Sequence, residues 1–293
     1  QQAERDGRPA PDLPSVRTVD AILARHGRAR PRAAPPPAPQ RFERGAPNQL
    51  WQLDHKGGAT VGGRAKLFPF AVVDDHSRYL LAFEPLADKT MARCWDVLWA
   101  AFGEAGLPEQ VLADNAFNAM GTDRPAGLSW FDARLVRLGI DPIHGGRYHP
   151  QTQGKVERLN GTAHAEFVHF NARRDTADHF RADCRAWRDA YNALRPHQAI
   201  GDVPPAARWR PATARPRPAA LPDPETYYPP GAELRRVCQE GLVRVDGYRL
   251  LVGRGIGGHA VRVERRDAEL AVFYCRRQVR RLSHDQLVKG RVL

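Results

Sequence analysis

The stretch that decides the fold begins Leu50-Trp51-Gln52-Leu53-Asp54-His55-Lys56-Gly57-Gly58-Ala59-Thr60. It turns at Gly62-Gly63 and resumes as Lys66-Leu67-Phe68-Pro69-Phe70-Ala71-Val72-Val73-Asp74. After Asp75-His76-Ser77 it continues as Arg78-Tyr79-Leu80-Leu81-Ala82-Phe83-Glu84-Pro85. Runs rich in β-branched and aromatic residues, separated by short polar or glycine turns, predict an antiparallel meander of three strands. Downstream the period changes. Trp95, Leu98, Trp99 and Phe102 mark one face of a helix over Thr90–Gly106. A short apolar strand, Gln110–Ala113, runs into Asp114. A helix over Trp130–Leu138 stops at Gly139 and is followed by a short strand, Asp141–His144. Two more helices are expected over Gln153–Phe170 and Thr176–Leu194. A meander followed by alternating helices and strands implies an α/β fold with a mixed sheet.

Two proline-rich stretches flank this block. One lies at Pro31–Pro39, the other between Pro196 and Pro230. Proline removes backbone donors and stiffens the chain, so both are expected to act as extended spacers. The implied division is residues 1–30, a linker at 31–47, a main block at 48–195, a linker at 196–230 and a terminal piece at 231–293. In the first segment, Ser15 is a plausible N-cap and Gly27 a plausible C′ residue. Val16, Val19, Ile22 and Leu23 mark the apolar face of a helix between them. That helix reads as a helix-turn-helix remnant or as a short amphipathic helix. The chain begins Gln1-Gln2 rather than with Met, so a cut N-terminus is expected. The last segment alternates apolar and polar residues across several short runs with turns at Asp246-Gly247 and Gly253–Gly258, as a small antiparallel β-barrel or sandwich would. Gly253-x-Gly255-x-x-Gly258 matches a dinucleotide-binding pattern, but a strand-like run follows it where that pattern needs a helix, so it reads as a turn.

Lys and Arg total 45 against 33 Asp and Glu, a net charge of +12. Such a chain is drawn to polyanions, with nucleic acid or an acidic membrane surface as the ordinary candidates. Residues 231–293 carry twice as many basic as acidic residues, which suits contact with a phosphate backbone. The four cysteines, Cys94, Cys184, Cys238 and Cys275, are scattered. They form no zinc pattern and no disulfide framework, and a reducing, intracellular setting is expected. No run of about 18 apolar residues exists, so no membrane partner is expected.

Three acids stand out. Asp54 lies mid-strand among apolar neighbours, where a carboxylate is costly unless it binds something. Asp114 ends a strand, and the carboxyl ends of strands in α/β sheets are where sites form. Glu157 lies in the opening turns of a helix, in Pro150-Gln151-Thr152-Gln153-Gly154-Lys155-Val156-Glu157-Arg158. Singly, each has an ordinary explanation as a strand cap, a surface acid or a helix N-terminal acid.

Together these segments resemble the DDE transposases of bacterial insertion sequences, whose catalytic core is shared with retroviral integrases. The matching motifs are Trp51-Gln52-x-Asp54, Asp114-Asn115 and His149-Pro150-Gln151-Thr152-Gln153-Gly154-Lys155-Val156-Glu157-Arg158. Val73-Asp74-Asp75-His76-Ser77-Arg78-Tyr79 and Tyr191-Asn192-x-x-Arg195-Pro196-His197-Gln198-Ala199-Ile200 agree as well. Ala116 stands where the family usually has glycine, and the retroviral His/Cys zinc module is absent.

The resemblance implies a ribonuclease-H-like, mixed five-stranded sheet flanked by helices, with Asp54, Asp114 and Glu157 as both catalytic and metal-binding residues. It implies two Mg²⁺ ions, with Mn²⁺ as a substitute; Asp54 bridges both and each of the other acids completes one. Carboxylates suit hard cations of this kind. Two ions about 3.5–4 Å apart activate the attacking oxygen and stabilise the leaving one. Lys155 and Arg158 flank the acid-bearing helix face, which Gln153 and Asn160 share with Glu157. With Lys56 and Arg147 they form the candidate DNA contacts, and Gly145-Gly146 suggests a mobile loop. The expected function is a transposase that cleaves element ends and transfers the 3′-OH strand to target DNA. Its partners are double-stranded DNA and further copies of itself on that DNA, and its setting is the bacterial cytoplasm and nucleoid. The alternatives are an inactive or domesticated DNA-binding relative and a plain ribonuclease-H-like nuclease.

Overall fold

The computed structural model describes residues 16–26, 43–55, 57–113, 127–144, 161, 173–266 and 269–283. The chain divides into two units, 1–42 and 43–293. In the first, helix α1 (Val16–Arg25) forms where its apolar spacing predicts, with Val19, Ile22 and Leu23 each about two-fifths exposed. It is the one helix described in that unit, so the helix-turn-helix expectation has no further support.

The second unit opens with β1 (Leu50–His55), β2 (Ala59–Val61), β3 (Ala65–Asp74) and β4 (Leu80–Leu86). The single strand expected from Leu50 to Thr60 is two strands, and the sheet has six strands in place of five. The reason lies at Gly58, where a Cβ would stand 2.6 Å from Lys66 Cε and 2.8 Å from Phe68 Cε1. The Lys66 and Phe68 side chains of β3 cover that position, and glycine leaves them room. Helix α2 (Met91–Ala105) follows, then β5 (Gln110–Ala113), α3 (Trp130–Arg137), β6 (Asp141–His144) and α4 (Ala177–Leu194). The sheet order is β2-β3-β1-β5-β6, with β4 also on β3. Strands β1, β3 and β4 pair antiparallel, whereas β5 runs parallel to β1 and β6 parallel to β5. This is the expected mixed α/β sheet.

Strand alternation sorts the side chains onto two faces. Trp51, Leu53, Phe70 and Val72 pack with Trp95, Leu98 and Phe102 of α2 and with Phe131 and Leu135 of α3. On the opposite face Ala71 and Val73 pack, with Leu80 and Phe83 of β4, against Phe180, Cys184 and Tyr191 of α4. Among the helices described, none is long and apolar enough to cross a membrane.

The proline-rich segment after α4 was expected as a spacer, yet it is pinned along the core. Trp209 stacks on Tyr79 at 4.8 Å, the Leu107 N–H donates to Arg215 O at 2.7 Å, and Arg217 lies over the Trp99 ring at 4.6 Å. Proline sets the extended path; arginine and tryptophan between the prolines supply the attachments.

The terminal strands are β7 (Glu233–Arg236), β8 (Leu242–Val245), β9 (Tyr248–Leu251), β10 (Ala260–Arg266), β11 (Glu269–Tyr274) and β12 (Arg277–Ser283). Among the described residues they form a four-stranded sheet, β12-β11-β10-β7, and a separate β8-β9 hairpin. Of the barrel or sandwich expected, no closed barrel is found among the described residues: β7 and β12 end the four-stranded sheet, and the hairpin makes its own ladder. Their shared core takes in Leu128, Ala133 and Val136. Helix α3 therefore serves two cores, with Phe131 and Leu135 on one side and Ala133 and Val136 on the other.

Candidate catalytic site at the strand carboxyl ends

Because β1, β5 and β6 are mutually parallel, their carboxyl ends lie on one edge of the sheet. Asp54 is next to last in β1, half-buried, and opposite Ala71 of β3. Its neighbours Trp51 and Leu53 point into the α2 core, so by alternation Gln52 and Asp54 take the other face. Asp54 Oδ1 accepts the His55 N–H at 2.7 Å. His55 packs on Phe70 with ring centroids 4.9 Å apart, and its Nε2 lies 3.1 Å from Cys94 Sγ. Burial, and then the charge of Lys89, lowers the His55 pKa to about 4. At neutral pH its imidazole is therefore uncharged and brings no positive charge to Asp54. Burial also pushes the Cys94 thiol up to about 12, so no thiolate competes there.

Strand β5 closes at Ala113, directly before Asp114, and pairs there with His144 at the end of β6. Asp114 and Glu157 lie outside the described residues, as do Lys56, Arg147, Gln153, Lys155, Arg158, Asn160 and the Gly145-Gly146 pair. Among the described residues no three His, Cys, Asp or Glu side chains gather into a metal-binding group. What the described part supplies for a divalent ion is a half-buried carboxylate at a strand end, a hard oxygen donor of the type Mg²⁺ takes. The donor chemistry of Asp54 with two further carboxylates fits such an ion.

Two of the sequence motifs turn out to be architectural. Asp74 is buried and accepts the Ser77 N–H at 2.7 Å, the Ser77 hydroxyl at 2.6 Å and the Asn48 N–H at 2.7 Å. Asp75 accepts the Arg44 N–H at 2.8 Å and the Gln52 amide at 2.6 Å. Arg78 takes a positive φ of 65° and pairs with Glu43 at 3.2 Å. This turn sits at the amino end of β1, three residues from Asp54, which is about 10 Å along the strand. In the other motif, Asn192 of α4 accepts the Leu80 N–H at 2.8 Å and donates to the Leu80 carbonyl at 2.9 Å, clamping α4 onto β4.

Sequence reasoning missed one polar pair at the strand ends. Buried Asp132 lies 2.9 Å from His144 Nε2 and forms a capping box with Ser129 at the start of α3. The Ser129-x-x-Asp132 spacing announced the cap but not the histidine.

Comparison with known proteins bears on this geometry. Residues 138–205 match the family model described as "Integrase core domain". An uncharacterized 31.7 kDa protein of insertion element IS407 from Burkholderia multivorans is 29% identical over 169 residues, covering 55% of each chain. The chain thus spans about half the length of the curated relative it matches. Three solved structures are similar. The HTLV-2 integrase catalytic core in complex with magnesium is 16% identical, covering 56% of this chain and 98% of its own, with a TM-score of 0.40. The BIV integrase catalytic core is 19% identical over 55% of this chain and 92% of its own, at 0.39. The simian T-cell lymphotropic virus intasome with PP2A regulatory subunit B56 gamma is 16% identical over 86% and 87%, at 0.44. The integrase core match over residues 138–205 and the insertion-element relative agree with the motifs, so the chain is similar to an insertion-element protein and part of it to an integrase core domain.

Proposed function

We propose that the chain, on a ribonuclease-H-like core, cleaves the ends of its element and transfers the freed 3′-OH strand to target DNA. One observation carries this reading. The Asp54 carboxylate stands on the edge where β1, β5 and β6 end together, and the residue that follows β5 is Asp114. The segment matched to the integrase core includes Glu157.

Asp54, Asp114 and Glu157 would hold two Mg²⁺ ions, which stabilise charge on the attacking and leaving oxygens of an in-line displacement. The chain's own part is to present acceptor oxygens at a fixed edge. Water opens the scissile phosphodiester and frees a 3′-OH, and that hydroxyl then attacks a target phosphodiester, exchanging one P–O bond for another. Lys56, Arg147, Lys155 and Arg158 are proposed to hold phosphates, and Gln153 and Asn160 to line the approach. Two element ends held at once call for more than one copy of the chain on the DNA.

The test is incubation with element ends, Mg²⁺ and a plasmid, scoring joined products. Joining is expected, and Asp114→Asn should reduce it more than about 100-fold while duplex binding persists, because the acid's task is worth several kcal/mol of barrier. Cleavage of correct ends without joining makes the chain a nuclease. No cleavage with Mg²⁺ or Mn²⁺ makes it a binding protein.

A further inference from the structure

His144 ends β6, beside Ala113 of β5, and its imidazole is turned toward the start of α3. Strands β1 and β6 are separated by β5 alone, so two interstrand spacings put His144 about 10 Å from the end of β1. The edge residue of β5, the strand that leads into Asp114, lies between them.

The partner of His144 is unusually constrained. Asp132 is 3% exposed. Its Oδ2 accepts the Ser129 hydroxyl at 2.8 Å, and its own N–H donates back to Ser129 Oγ at 3.1 Å. The remaining oxygen, Oδ1, faces His144 Nε2 at 2.9 Å. A carboxylate oxygen only accepts, so Nε2 carries the hydrogen. The tautomer is thereby fixed, and Nδ1 is buried with no hydrogen-bond partner among the described residues. The Ser129 end is held too. The Gly255 N–H donates to Leu128 O at 3.1 Å, and a Cβ on Gly255 would lie 2.1 Å from the Ser129 carbonyl carbon.

We propose that His144 is a positioning residue for the strand-end site. Its Nε2 tether to Asp132 pins the carboxyl end of β6 to α3, and so gives the end of β5 a rigid flank. The proposal rests on the strand-transfer reading for its consequence, but not for its geometry. Reaction geometry off by about 1 Å can cost 100-fold in rate.

Two substitutions separate the two ring nitrogens. His144→Gln places an amide N–H near the Nε2 position and keeps the tether. His144→Asn reaches the Nδ1 position and loses it. Joining by the full chain with Mg²⁺ is expected to keep kcat within a few-fold for the Gln variant. The Asn and Ala variants should fall about 10- to 100-fold in kcat with KM for DNA little changed, assayed well below their melting midpoints. An alanine variant as active as the wild type, or rescue by Asn and not by Gln, overturns the proposal. The tautomer is read separately, from imidazole ¹⁵N shifts of the labelled full chain, with His144 assigned by its absence in His144→Gln. An Nε2-protonated ring is expected, with its signature lost in Asp132→Ala, which leaves no acceptor, and any other tautomer in the wild type overturns the proposal whatever the joining assay gives. If the signature is present and the wild type joins nothing, the strand-transfer reading fails and the Nε2 tether stands.

Discussion

Asp74 shows how a family motif can be architectural. Burial raises its carboxyl pKa above the ordinary value, and the Ser77 and Asn48 donors offset that only in part. The folded chain therefore holds this proton more tightly than the unfolded chain does. Stability from the group is full below the ordinary carboxylate pKa and falls as pH rises through the raised folded value. Asp74→Asn removes that dependence but turns an amide N–H₂ toward the Asn48 N–H, leaving two donors facing each other. The expected cost is about 1–3 kcal/mol, read from urea unfolding, with a flatter stability profile on the acid side of neutrality. A variant as stable as the wild type at neutral pH would remove Asp74 as the organiser of this turn. Asp74 was visible in the sequence as the last residue of a strand and Asp75 as the first of the turn after it. Their burial was not, because it depends on Asn48, Gln52 and Arg44, which reach the turn only in the folded sheet.

At the scale of elements, alternation and helical spacing located α2, β5, α3, β6 and α4 to within a residue or two, because each buries a periodic face. What the pattern missed was non-local: the break at Gly58, the pinned proline-rich segment, and the histidine under the α3 cap. The glycine-rich run is instructive. It is a turn, as read, with a 3₁₀ segment at Arg254–Ile256 and a strand after it. Its glycines are nevertheless required, because they let backbone meet backbone. A Cβ on Gly253 would lie 2.3 Å from Leu128 N, and one on Gly127 would lie 2.4 Å from the Val252 carbonyl carbon. The Leu128 N–H donates to Val252 O at 3.0 Å across this seam. Gly255→Ala should therefore destabilise by about 1–3 kcal/mol through overpacking. Gly247→Ala has open space around it, although its φ of 82° strains any side chain, and it serves as the control for backbone strain alone. Urea unfolding followed by circular dichroism reads both losses. A Gly255→Ala variant as stable as the wild type would mean that the seam does not hold the terminal strands to α3.

At the scale of the molecule, we propose that acids distant in sequence gather at one edge. Like charges brought together repel, so a gathered set weakens the metal-free fold, and a bound cation returns the stability. A cation that binds the folded state and not the unfolded chain stabilises it by RT ln(1 + [L]/Kd), about 1.4 kcal/mol at tenfold excess over Kd. The melting midpoint of the wild-type chain should therefore climb with Mg²⁺ over the millimolar range and fall back when a chelator removes the ion. Asp54→Asn takes away both the repulsion and a ligand. It should melt at or above the wild-type midpoint without metal, and should gain little when Mg²⁺ is added. Asp88→Asn is the control: its carboxylate is held below the ordinary range by Thr90 and Arg93 just before α2, so its metal response should equal that of the wild type. An identical Mg²⁺ response in the wild type and Asp54→Asn would leave the strand edge without a metal site, whatever the sequence motifs suggest.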